Sequence, residues 1–269
     1  MTTTALPAAP PVVRARPAGF LSDMRTVATR ALRAVPREPE SIIPALIVPV
    51  FFYVVNVGAL SKVSHNAYGL DFKAFQVPVA IIFAVTGISR ASTLVTDIQD
   101  GYFDRLCVTP VRRLALLLGL MVADVAVVIA LCIPVLLLGF AYGVRFETGP
   151  IGMLLFLLIA GAWGLVFTGF PYAIALKTGN PAAVNSSFIL FFPFAFLTTA
   201  FQPKQALSGW LATVATYNPV TYLLSGLRSL VSDGWDGVEV LKAVAAIAAV
   251  GAVSIPLALA ALRGRVRRG

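Results

Sequence analysis

The sequence predicts an all-α integral membrane protein with six transmembrane helices, an amphipathic helix before the first and a re-entrant outer hairpin before the last. Three observations lead there. The chain is 58% hydrophobic and 12% charged, whereas a soluble domain carries about 25% charge. The apolar residues come in long blocks rather than alternating patterns. Lys and Arg gather on one side of those blocks.

A helix needs about 20 mostly apolar residues to cross the hydrocarbon core. Six stretches qualify: Ser41–Leu60, Ala74–Val95, Leu114–Phe140, Ile151–Leu176, Ala182–Phe201 and Val240–Leu262. Barrel strands would alternate and be about half as long. In lipid, a helix satisfies its own backbone hydrogen bonds. The first block follows a long basic leader and is too long for a signal-peptide core. Residues 1–17, rich in Ala, Pro and Thr, read as a disordered tail.

With six spans both ends lie on one side. That side carries fourteen Lys and Arg against six opposite, so both termini are expected in the cytoplasm. Positive-inside topology and anionic head groups explain the net charge of +9 better than nucleic acid does.

Chemistry is thinly represented. There is one histidine, His65, in an expected outer loop, and two cysteines, Cys107 and Cys132, that cannot easily meet. No metal-ligand spacing, nucleophile motif, dinucleotide fingerprint or P-loop occurs. No cofactor is expected on this chain.

In Phe20–Ala34, the residues Phe20, Met24, Val27 and Ala31 recur at helical spacing. This reads as an interfacial amphipathic helix or as a plain basic leader. Pro36 and Pro39 end it. The cytoplasmic segment Asp97–Arg113 mixes charges with Tyr102, Phe103, Leu106 and Val108. It forms either a short docking helix from about Asp100, stopped by Pro110, or a solvated loop with arginines at the head groups.

Arg90 and Asp124 fall inside the second and third spans. Isolated charges there cost several kcal/mol, so they usually pair. An Arg90–Asp124 contact is expected, either locking the two spans or relaying protons or substrate. Between the fifth and sixth spans, Leu207, Trp210, Leu211 and Val214 give one apolar face, and Leu223, Leu224, Leu227 and Leu230 another. Pro219 suits a helix start. These read as two short helices that re-enter the membrane, or as a surface loop with Trp210 as anchor.

Several of these segments together resemble the type 2 ABC transporter permeases, and within them the daunorubicin-resistance-type drug exporter permeases. The resemblance runs over about residues 20–262. It is carried by Asp97–Arg113 followed by Gly119-Leu120-Met121-Val122-Ala123-Asp124, by Asn180-Pro181-Ala182-Ala183-Val184-Asn185 with Phe191, Pro193 and Phe196, by Ala200-Phe201-Gln202-Pro203, and by Asn218-Pro219-Val220 with Leu227-Arg228. The resemblance implies an interfacial elbow helix over 18–40, a six-span domain over 41–262 and a basic tail over 263–269. It implies a dimer with a second copy or a related permease, together with two ABC nucleotide-binding subunits that use ATP and Mg. The coupling loop would then be Asp97, Asp100, Gly101, Tyr102, Phe103, Asp104, Arg105, Leu106, Pro110, Arg112 and Arg113.

The implied function is export of a hydrophobic drug-like or lipid-like substrate across the plasma membrane. Candidates for the substrate path are Phe51, Phe52, Tyr53, Asn56, Phe83, Thr86, Asn185, Phe188, Phe192 and Phe196, each of which also serves helix packing. A secondary transporter or a non-transporting membrane assembly subunit stays open beside this reading. A neighbouring reading frame for a P-loop ATPase would separate them.

Overall fold

The computed structural model describes residues 19–107 and 112–266. The tail over 1–17, Pro110, Arg267 and Arg268 lie outside the described residues, as does the side chain of Asp104. The described chain is helical: α1 (Phe20–Ala34), α2 (Pro39–Tyr68), α3 (Phe72–Thr86), α4 (Ala91–Gln99), α5 (Tyr102–Cys107), α6 (Arg113–Ala141), α7 (Gly149–Phe167), α8 (Gly169–Thr178), α9 (Pro181–Phe196), α10 (Gly209–Tyr217), α11 (Pro219–Arg228) and α12 (Gly237–Val266).

Five helical stretches are long and apolar enough to cross a membrane: Ile42–Tyr68, Phe72–Gln99, Arg113–Ala141, Gly149–Thr178 and Gly237–Arg265. They correspond to the expected first, second, third, fourth and sixth spans. The first helix runs past the expected Leu60 and takes in His65, which is therefore not in a loop. The expected fifth span ended at Phe201, but its helix, α9, covers only 16 residues. A local bonding pattern ends it early. Thr198 Oγ1 donates to the Ala195 carbonyl at 2.6 Å and accepts from the Ala200 amide at 3.1 Å, which turns the backbone out of the helix.

α3 is the central helix. Most of its side chains are buried, and it packs against α2, α6, α7 and α11. One apolar cluster fills the half of the bundle around Val77–Val85, Val135, Phe156 and Trp163. A second fills the other half around Leu94, Leu117, Met121, Tyr172 and Leu176. By contrast α2 leaves Ile43, Ile47, Phe51 and Val55 exposed. Lipid tails are as apolar as these side chains, so such exposure costs little in a membrane. Association of the helices rests instead on close packing and hydrogen bonds.

α1 shows how close that packing is. It lies on α6, and a Cβ on Gly119 would fall 2.8 Å from the Met24 carbonyl oxygen and 2.8 Å from Val27 Cβ. No larger residue fits without moving α1. The Asp23 carboxylate, 6% exposed, accepts from the Arg112 amide at 3.4 Å and ties the other end of the contact.

Candidate functional site

The second span is broken. α3 stops at Thr86, and the chain passes through Gly87, Ile88, Ser89 and Arg90 before α4 begins. A helix start leaves amide donors without intrahelical partners. Here Asp124 of α6 supplies the acceptor. Its Oδ1 takes the Arg90 amide at 2.8 Å, and its Oδ2 takes the Ser89 hydroxyl at 3.3 Å and the Tyr172 hydroxyl at 2.7 Å. Asp124 is 2% exposed and Tyr172 fully buried. The carboxylate thus caps α4 from another helix.

Arg90 and Asp124 are together, as the sequence suggests, but the bond is made by the main chain. The Arg90 guanidinium turns away and pairs with Glu38 at 3.1 and 3.2 Å. Glu38 sits where α1 hands over to α2, in a position sequence reasoning passed over. Its signal was available: an acid directly before the first span, with one intramembrane cation to neutralise. A cavity of about 280 Å³ adjoins this pair, lined by Glu38, Arg90, Ser92, Asn185 and Phe188 among others.

Beyond α4 the chain turns at Gly101, whose φ of +68° glycine adopts without strain, and α5 begins at Tyr102 rather than Asp100. Phe103 is buried, while Tyr102 and Arg105 are exposed. Arg30 of α1 joins the segment. Its guanidinium donates to both Asp97 oxygens, at 2.7 and 2.9 Å, and lies 4.1 Å from the Tyr102 ring centroid. The Gln99 amide reaches the Gly179 carbonyl at 3.0 Å. Residues 97–103 are therefore held to α1 on one side and to the end of α8 on the other. Arg112 and Arg113 are exposed at the start of α6.

The aromatic candidates cluster. Phe52 stacks on Phe83 with centroids 5.9 Å apart, and Phe83 meets Phe191, Phe192 and Phe196 at 6.0–6.2 Å. Asn185 and Phe188 continue the same α9 region to the cavity beside Arg90. Ser92 donates to Asn185 Oδ1 at 3.3 Å. Other candidates do not join. Thr86 donates to the Ile82 carbonyl and accepts the Trp163 indole N–H at 3.1 Å, which makes it packing. Asn56 bonds its own helix at the Phe52 carbonyl. Phe51 points outward, and Tyr53 is buried with its hydroxyl on the Lys73 carbonyl.

At the opposite end Arg228, by its place in the sequence an outer-side charge, is buried. Its guanidinium donates to the Phe75 carbonyl at 3.2 Å, the Thr199 hydroxyl at 3.1 Å, and the Thr199 and Ala200 carbonyls at 2.8 and 3.4 Å. It lies 3.4 Å from the Phe75 ring centroid. Asn218 caps α11 at the Val220 amide and donates to the Phe194 and Leu197 carbonyls. Asn180 caps α9 in the same way, at the Ala182 amide. Both Asn-Pro pairs thus join a side-chain cap to a proline in the first turn.

The chain is similar in sequence to several transport permeases. The Daunorubicin resistance ABC transporter permease protein DrrB1 of Streptomyces coeruleorubidus is 25% identical over 206 residues, covering 75% of this chain and 72% of that protein. The Probable doxorubicin resistance ABC transporter permease protein DrrC of Mycobacterium tuberculosis is 25% identical over 219 residues, covering 80% and 79%. The Putative transport permease ycf38 of Pyropia yezoensis is 24% identical over 233 residues, covering 82% and 78%. Residues 22–231 match the ABC-2 type transporter family, and the chain belongs to it.

Proposed function

We propose that this chain is the membrane-spanning permease subunit of an ABC exporter, moving a hydrophobic drug-like or lipid-like substrate out across the plasma membrane. The family match over residues 22–231 carries this reading. The related resistance permeases, named for daunorubicin and doxorubicin, favour a drug-like substrate. The chain is multi-pass, with α9 as a short additional crossing, which gives six spans and puts both termini in the cytoplasm. α1 serves as the elbow helix, and α10 with α11 as the re-entrant outer hairpin.

ATP and Mg act in a separate nucleotide-binding subunit, present in two copies. That subunit docks on the segment from Asp97 to Arg113, where exposed Tyr102 and Arg105 offer contacts. Motion there reaches the bundle through α4, whose start Asp124 holds. A second permease copy completes the pore. The phenylalanines around Phe83, with Asn185 and Phe188, form part of the substrate path. Binding sites in membranes are mostly apolar with a few polar groups, and this cluster beside the Arg90 cavity has that character.

The test is reconstitution with a candidate P-loop ATPase encoded beside this chain. ATP-dependent export of a fluorescent apolar drug is expected, and Tyr102→Ala with Arg105→Glu should uncouple ATP hydrolysis from export. Transport that runs without any ATPase would overturn the assignment. Full coupling in the loop variant would overturn the docking role.

A further inference from the structure

Two further cavities meet along one flank of the bundle. The larger, about 680 Å³, lies between α8 and the end of α12, with Ala173 and Ala261 in its walls. The smaller, about 300 Å³, extends toward Trp163 and Phe191. Phe170 and Ile174 line both, so the two form one groove.

The groove has its charge at one end. Lys177 lies exposed in the last turn of α8. Arg265 of α12 brings a guanidinium nitrogen to 3.8 Å from where a Cβ on Gly179 would sit, at the end of that same helix. Both cations line the larger cavity, and the described lining of the two cavities holds no carboxylate. From Lys177 the walls run apolar for about 20 Å along the helix direction to Trp163. Small side chains on both helices leave the room. An amphipathic helix would need polar partners at every turn, and a free phosphate would leave the apolar stretch unused. A phosphate on an apolar chain uses both parts. Each cation near a membrane surface attracts an anionic lipid by about fivefold.

We propose that this groove binds an anionic phospholipid, its phosphate between Lys177 and Arg265 and one acyl chain along α8 toward Trp163. The phosphate end, at Lys177 and Arg265, is separate from the substrate path, whereas Phe191 belongs both to the apolar end and to the cluster around Phe83.

The test uses the full chain in detergent, exposed to equal phosphatidylglycerol and phosphatidylcholine with identical chains, with bound lipid read by native mass spectrometry. Preferential retention of phosphatidylglycerol is expected. Lys177→Gln should reduce that preference on the order of fivefold, and Lys177→Gln with Arg265→Gln further. Ala173→Phe, which fills the groove, should lower retention of both lipids. Glycerol phosphate alone should not compete. Equal retention of the two lipids, an unchanged preference in the folded Lys177→Gln protein, or displacement by glycerol phosphate would each overturn the proposal. Thermal melting of each variant separates loss of the site from loss of the fold.

Discussion

Two buried arginines, Arg90 and Arg228, are held in opposite ways. Arg228, near the start of α3, gives its donors to three main-chain carbonyls and one hydroxyl, over the face of Phe75. The three carbonyls belong to the backbone and move only if the fold does. Arg90, at the start of α4, divides its roles. Its amide is fixed by Asp124, while its guanidinium pairs with Glu38, a side chain 31% exposed. Its Nε has no hydrogen-bond partner among the described residues. A partner on a partly exposed side chain can be exchanged for water or a ligand. Arg228 is therefore a rivet, and Arg90 sits where an exchangeable bond meets a fixed one.

The sharpest way to break this comparison is Arg228→Met. It would strand the carbonyls of Phe75, Thr199 and Ala200, and a loss of about 3 kcal/mol in folded stability is expected. Arg228→Lys should recover little, because an ammonium cannot span the same fork of acceptors. Chemical denaturation in lipid-detergent micelles would measure both. Asp124→Leu comes next, at about 2 kcal/mol, by removing the cap on α4. Asp124→Asn keeps an acceptor for the Arg90 amide and should cost less than half of that. If Asn folds as well as the native chain yet abolishes transport, the carboxylate has a role beyond capping.

Glu38→Gln tests the exchangeable side. It should cost about 1 kcal/mol, with the larger effect on transport rate than on melting. A stability loss matching that of Arg228→Met would erase the distinction between the two ends. The smallest effect belongs to Arg30→Ala. Its pair with Asp97 is on the surface, so about 0.5 kcal/mol is expected, fading in high salt.

Five of the six expected spans were legible because their signal is one-dimensional: long apolar blocks survive any tertiary arrangement. The short helices Gly209–Tyr217 and Pro219–Arg228 were legible too, since Asn218 and Pro219 carry the cap and first-turn chemistry locally. What stayed hidden depends on partners far along the chain. The early end of α9 follows from the turn at Thr198, and Arg228 then binds the carbonyls just beyond it. The break after Thr86 needs a carboxylate from another helix. The Arg90–Asp124 proximity was readable from two costly charges at similar depth, but the choice of amide over guanidinium was not. Nothing in the local pattern named Arg30 as the residue that answers Asp97.

The seat of α1 on Gly119 also sets an order of events during synthesis. Met24 and Val27 leave the ribosome about 90 residues before the glycine they pack against. At 5–20 residues per second that is a wait of roughly 5–20 s. Through that interval the apolar side of α1 lacks its seat on α6. The packing that Gly119 permits is therefore among the last contacts α1 can make, after Arg30 has already met Asp97.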